Sequence, residues 1–137
     1  MYYNAGMDVF LAAEARLALA GLRLVAGRTR PKGLLLGHRR GPRYFVARIF
    51  SAGVDFGFQP DAVRRLDALF GGHVIGFFVF RPDPATRRAL LRPFAVGRAL
   101  VAVDGRGALS ASAIDFDGRF RLLPLPLSLD QKAGNHG

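Results

Sequence analysis

A mixed α/β (α+β) fold, one mixed β-sheet flanked by about three helices, is predicted by three features of the sequence. Residues 9–26 carry apolar side chains at helical spacing. His73 to Phe80 is a nearly unbroken apolar run of strand length, as expected where both faces of a strand are covered. The last third holds short alternating segments divided by Asp104-Gly105-Arg106-Gly107 and by Asp117-Gly118, and Asp-Gly is a strong hairpin signal.

Each element has its own signal. In the first helix Leu17 and Leu24 form the inward stripe, widened by Leu11, Ala18, Leu22 and Val25, with Arg16 and Arg23 on the opposite face and Gly27 as C-cap. Lys32 to His38 reads as a buried strand, His38 to Pro42 as a turn, and Arg43 to Phe50 as the returning strand. Gly53 to Phe58 is a loop. Pro60 opens a second helix with Val63, Leu66, Leu69 and Phe70 as its apolar stripe and an Asp61–Arg65 pair on its surface. Asp83 caps and Pro84 opens a third, short helix that Pro93 terminates. Strands follow at Ala99 to Val103, Ala108 to Phe116 and Arg119 to about Leu127. Pro124 and Pro126, two apart, remove donors on one side of the last strand and mark it as an edge.

The chain has 137 residues, half of them hydrophobic and 22% charged, enough for one self-supporting core. The domain is read as residues 9–129, between an N-terminal extension 1–8 and a polar tail 130–137. Without cysteine there are no disulfides, zinc fingers or thiolate catalysis, in keeping with a cytoplasmic location. The longest stretch free of Asp, Glu, Lys and Arg, Ala68 to Phe80, is too short to span a bilayer. Arg16 and Arg23 interrupt the N-terminal apolar segment and no basic cluster precedes it, so it reads as a helix and not a signal peptide. Net charge is +10, carried almost wholly by arginine: Lys32 and Lys132 are the only lysines and Glu14 the only glutamate. Such a chain attracts nucleic acid, acidic protein surfaces or anionic lipid heads, although arginines spread along the whole sequence point to general composition more than to one patch.

The glycine-bounded run Gly33-Leu34-Leu35-Leu36-Gly37 and the later Gly76-Phe77-Phe78-Val79-Phe80-Arg81-Pro82, in this order of elements, resemble the MPN/JAMM family. Those are zinc-dependent isopeptidase-like domains related in fold to the cytidine deaminases. The resemblance covers roughly residues 9–128 and implies a cytidine deaminase-like architecture. In active members a glutamate base lies three residues before the first glycine, a His-x-His-Pro run ends the central strand, and a Ser and an Asp follow at fixed spacing. The glutamate position falls on Arg30, the His-x-His-Pro run on Val79-Phe80-Arg81-Pro82, and the Ser and Asp positions on Ala89 and Arg92. Val, Phe and Ala lack lone pairs and Arg has no acceptor. Like charges ~4 Å apart at an effective dielectric of ~20 repel by about 4 kcal/mol, so these arginines would expel a divalent ion. The resemblance therefore implies a degenerate member with no zinc, no cofactor and no hydrolase activity.

Arg30, Arg81 and Arg92 would converge in that geometry as an anion site. The competing reading pairs Arg81 with Asp83, leaves Arg92 in solvent and lets Phe80 fill the space. His38 reads as a solvent-facing turn residue and His73 as a satisfied structural histidine. Asp115 and Asp117 read as turn formers, and Ser110 and Ser112 as strand residues without a histidine partner. Three functions follow. The first is a protein-interaction or scaffolding module, binding a protein partner or a second copy through the N-terminal helix or the aromatic Phe50 to Phe58 segment. The second is a nucleic-acid binder using Arg39, Arg40 and Arg43 beside Tyr44 and Phe45, with Arg87, Arg88 and Arg92 on the third helix. The third is an enzyme whose site lies outside the family motif.

Overall fold

A computed structural model describes residues 6–130. The elements are β1 (Asp8–Leu11), α1 (Ala13–Ala26), β2 (Lys32–Arg40), β3 (Arg43–Gly53), α2 (Pro60–Leu69), β4 (Val74–Phe80), α3 (Pro84–Leu90), a 3-10 turn (Pro93–Ala95), β5 (Ala99–Val103), β6 (Leu109–Phe116), β7 (Phe120–Leu125) and β8 (Leu127–Leu129). The eight strands form one mixed sheet in the order β7-β6-β5-β4-β2-β3-β1-β8. Its two edge strands, β7 and β8, are separated in the chain by Pro126 alone, so the sheet curls until its edges almost meet. The mixed sheet and its three helices agree with the fold class expected from sequence.

Alternation along the strands divides the core in two. Phe78, Phe80, Val101, Ala111, Val9, Leu11, Tyr44 and Val46 point to the side holding α1, where Ala15 and Leu19 meet them. Leu34, Leu36, Phe77, Val79, Leu100 and Ile114 point to the other side, covered by Val63 of α2, Leu90 of α3, and Phe58. β4 is thus buried on both faces, as its unbroken apolar run predicts.

The glycines of the two motifs have a steric cause. A Cβ on Gly33 would collide with the Phe50 carbonyl oxygen and the Phe78 ring, and one on Gly76 would enter the Ala99 carbonyl. Neither strand could approach its neighbour so closely with any side chain there.

The structure corrects several expectations. Residues 9–11 are not the start of the first helix: Val9 and Leu11 alternate inward on β1, paired in parallel with β3 and β8. The buried stripe of α1 is Ala15 and Leu19 with partly buried Leu22, whereas Leu17, Leu24 and Val25 are 54%, 83% and 79% exposed. Leucines recur on both sides of this helix, and periodicity alone cannot say which side meets the sheet. Leu69 is exposed rather than part of the α2 stripe, and Asp61 pairs with Arg64 at 2.7 Å, not with Arg65. His38 lies on β2 opposite Phe45, because the strands run on to a tight turn at Gly41-Pro42, and His73 is exposed just before β4.

The aromatic rings of the Phe50 to Phe58 segment turn toward the core, while Val54 between them is exposed. Phe58 is fully buried and packs edge-on to Phe56 and Phe77, centroids 5.0 and 5.4 Å away. At the β6–β7 turn only Gly118 takes a left-handed φ, 77°; Asp117 does not. The last strand breaks at Pro126, and its second part crosses to the opposite edge. Other expectations hold. Gly27 is the left-handed C-cap of α1, Asp83 Oδ1 accepts the Thr86 N–H at 2.8 Å to cap α3, and β7 is an edge strand carrying Pro124. The tail expectation for residues 131–137, and that for the first five residues, lie outside the described residues.

Candidate functional site

The C-terminal end of β4 collects most of the residues that the family resemblance singled out. Val79 is fully buried in the outer cluster with Phe77, Leu90 and Ala95, and Ala89 packs against the same cluster. Phe80 faces the other way and donates its N–H to the Pro31 carbonyl at 3.1 Å, tying the strand to the α1–β2 loop.

Arg81 then leaves the strand with φ 47°, left-handed and unusual for a side chain. Its N–H bonds the Val103 carbonyl at 2.7 Å, and its Nη2 donates to the carbonyls of Arg28 and Thr29 at 2.6 and 2.7 Å. One residue thus clamps the α1–β2 loop to the end of β5. Arg30 Nη1 lies 3.2 Å from Asp83 Oδ2. Hydrogen bonds from Thr86, with the Arg30 charge adding to them, hold the Asp83 carboxyl below the usual carboxylate range.

Of the three arginines expected to converge, Arg30 and Arg81 share this end of β4, and each already has protein acceptors. The partner of Asp83 is Arg30 and not Arg81. Arg92 stands exposed at the start of the 3-10 turn, and its guanidinium makes no hydrogen bond or ion pair with a described residue. These positions do not fit a zinc ion. Val79 and Ala89 present hydrocarbon, Arg30 and Arg81 present cations, and among the described residues no group of three or more His, Asp or Glu could hold a metal.

Strand alternation splits the other arginine group. Arg39 lies 4.0 Å over the buried Tyr44 ring, whose hydroxyl donates to the Gly97 carbonyl at 2.7 Å. Burial pushes the Tyr44 pKa up. Arg40 lies on the other side, 4.4 Å over Phe45, with its Nε 2.7 Å from His38 Nε2. Arg43 grips Asp8 through two bonds of 3.0 and 2.8 Å. His38 and Phe10 both stack on Phe45, centroids 5.2 and 5.3 Å away, so the outward face of β1, β3 and β2 carries an aromatic strip bordered by guanidiniums. Phe10 carries no such signal in the sequence, where its segment reads as the start of the first helix. Arg87 and Arg88 are exposed in the last turn of α3, where the helix dipole favours cations. Asp115 and Asp117 both contact Arg121, at 2.7 and 3.7 Å. Ser110 and Ser112 are ladder residues of β6 opposite Ala102 and Leu100.

A groove that the sequence did not reveal runs beside the Arg81 clamp. One part, about 320 Å³, lies between the end of α1, Phe80, Arg81 and the β5–β6 turn. The adjoining part, about 310 Å³, is walled by Leu19, Leu24, Val103 and Leu109, and the two parts share Arg23 and Leu24. Its local cause is the β5–β6 turn. Asp104 Oδ1 accepts the N–H groups of Arg106 and Ala108 at 2.8 and 2.9 Å, holding its carboxyl below the usual range. Gly107 then takes φ 87°, and Arg23 lies where a side chain on it would stand.

No protein-family model matches the chain, and no curated protein matches it in sequence. In fold it is similar to the solution structure of protein DSY2949 from Desulfitobacterium hafniense, at 17% identity and a TM-score of 0.59 over 94% of this chain and 99% of that one. That likeness defines a class by architecture: a curled mixed sheet with helices on both faces.

Proposed function

We propose that this chain is a non-catalytic MPN/JAMM-like domain that works as a protein-interaction module. The observation that carries the reading is the end of β4, where Val79 is buried in hydrocarbon while Arg30 and Arg81 are committed to Asp83 and to backbone carbonyls. A zinc hydrolase of the kind the resemblance implies needs an open coordination position and a basic group beside it, and neither can be built from these side chains. The exposed Leu17, Leu24 and Val25 on α1 support binding, since apolar side chains grouped on one helix face mark contact surfaces.

The test reinstalls the absent ligands. A variant carrying Arg30→Glu, Val79→His, Arg81→His, Ala89→Ser and Arg92→Asp should take up one zinc per chain by metal analysis after dialysis, whereas the unaltered protein should retain none. A folded variant that binds no zinc would remove the MPN geometry. Stoichiometric zinc in the unaltered chain would restore the enzyme.

A second reading is nucleic-acid binding, favoured by the His38–Phe45–Phe10 strip with Arg40 and Arg43 at its border. Affinity for a single-stranded oligonucleotide should then fall steeply with salt and be lost in Phe45→Ala.

A further inference from the structure

We propose that the groove between α1 and the β5–β6 turn binds an acidic amphipathic segment of a partner protein, an inference that rests on the protein-interaction reading above. The walls supply the apolar half of the recognition. Leu24 is largely exposed, and Leu19, Val103 and Leu109 continue the apolar surface inward. The rim supplies the charged half. The guanidiniums of Arg23 and Arg106 flank the groove and make no ion pair or hydrogen bond with any described residue.

The one carboxylate in the groove wall is Asp104, whose Oδ1 accepts from the amides of its own turn and whose charge Arg106 favours. Arg23 is stationed over Gly107, and any side chain at 107 would displace it. Arg23 and Arg106, with Arg16 and Arg81 also lining the groove, outnumber its one carboxylate, Asp104, and this net positive rim beside an apolar trough matches carboxylates flanking leucine-type side chains on an incoming segment. A second copy is a poor occupant. The chain carries net charge +10, and Asp8, Asp61, Asp67, Asp83, Asp115 and Asp117 are already paired with arginines of the same chain.

The test is an NMR titration of the full chain with two synthetic peptides of equal negative charge. One places two leucines between acidic residues, and the other replaces both leucines by serine. Amide shifts should concentrate at Ala20, Leu24, Arg106 and Gly107, and the leucine peptide should bind about tenfold tighter than its serine counterpart. Arg23→Glu with Arg106→Glu should weaken it by about tenfold, whereas Arg65→Glu with Arg119→Glu, the same charge change on exposed sites elsewhere, should alter it by about twofold at most. Equal affinity for both peptides, shifts scattered over the arginine-rich surface, or indifference to the Arg23/Arg106 reversal would overturn the proposal. So would sedimentation showing a dimer that Leu24→Glu dissolves. A silent groove overturns this inference and leaves the module reading standing, whereas zinc in the unaltered chain overturns the module reading itself.

Discussion

Arg81 has a task that its residue type does not announce. Its left-handed backbone costs a side-chain-bearing residue about 1–2 kcal/mol relative to glycine, and the bonds from its N–H and guanidinium offset that cost. Arg81→Ala removes the guanidinium bonds and keeps the strain, whereas Arg81→Gly removes both. Urea denaturation should therefore find the glycine variant more stable than the alanine variant by about 1 kcal/mol. Equal stability would mean that the φ at this position relaxes freely. Asp104 gives a second residue-scale prediction. Its lowered pKa means that it contributes stability at pH values above the ordinary carboxylate range, and that this contribution is lost as pH falls through the folded value. Asp104→Asn should flatten the acid limb of the stability profile, checked by thermal melts from pH 7 down to about 2. Sequence reading singles out Arg81 only through the family resemblance. It could not foresee that the acceptors would be the Arg28 and Thr29 carbonyls, because backbone oxygens leave no mark in a pattern of side chains.

Among the elements, α1 separates what pattern can tell from what packing decides. Its helical character is legible, but the pattern favours the stripe with more leucine as the buried side. The sheet instead accepts the side where small Ala15 lets the helix approach and Leu19 fills the gap. Leu19→Ala should consequently cost about 2–4 kcal/mol by chemical denaturation, while Leu24→Ala should change stability by less than about 0.5 kcal/mol. The reverse ranking would mean that the helix is rolled about its axis. β4 and the Asp83 cap of α3 were readable because each depends on local composition: a run apolar on both faces, and a carboxylate three residues before the N–H that it accepts. β1 was not readable, since four residues joined to a helix by Ala12 carry too little alternation to be told from that helix's first turn.

For the molecule as a whole, the class of fold was legible and the closure of the sheet was not. Hairpin signals describe neighbours in sequence, whereas β8 pairs with β1 from the far end of the chain. Nor could the candidate groove be read, because its walls come from α1, β5 and β6, and only the curl of the sheet brings them together. Closure through a strand of three residues also predicts unequal protection. The Asp130 amide, bonded to the Leu11 carbonyl at 2.9 Å, should exchange with solvent through local opening at a lower free energy than the amides of Phe77 to Phe80, which sit between β2 and β5. Native-state hydrogen exchange checks this, and uniform protection across both regions would show the seam to be as strong as the centre.

That seam has a consequence for the protein's birth. β1 leaves the ribosome almost a whole domain ahead of the strand that covers its outer edge. Until β8 follows, the nascent protein carries Val9, Phe10 and Leu11 with one edge uncovered, open to the same ribbon on chains emerging from the same message.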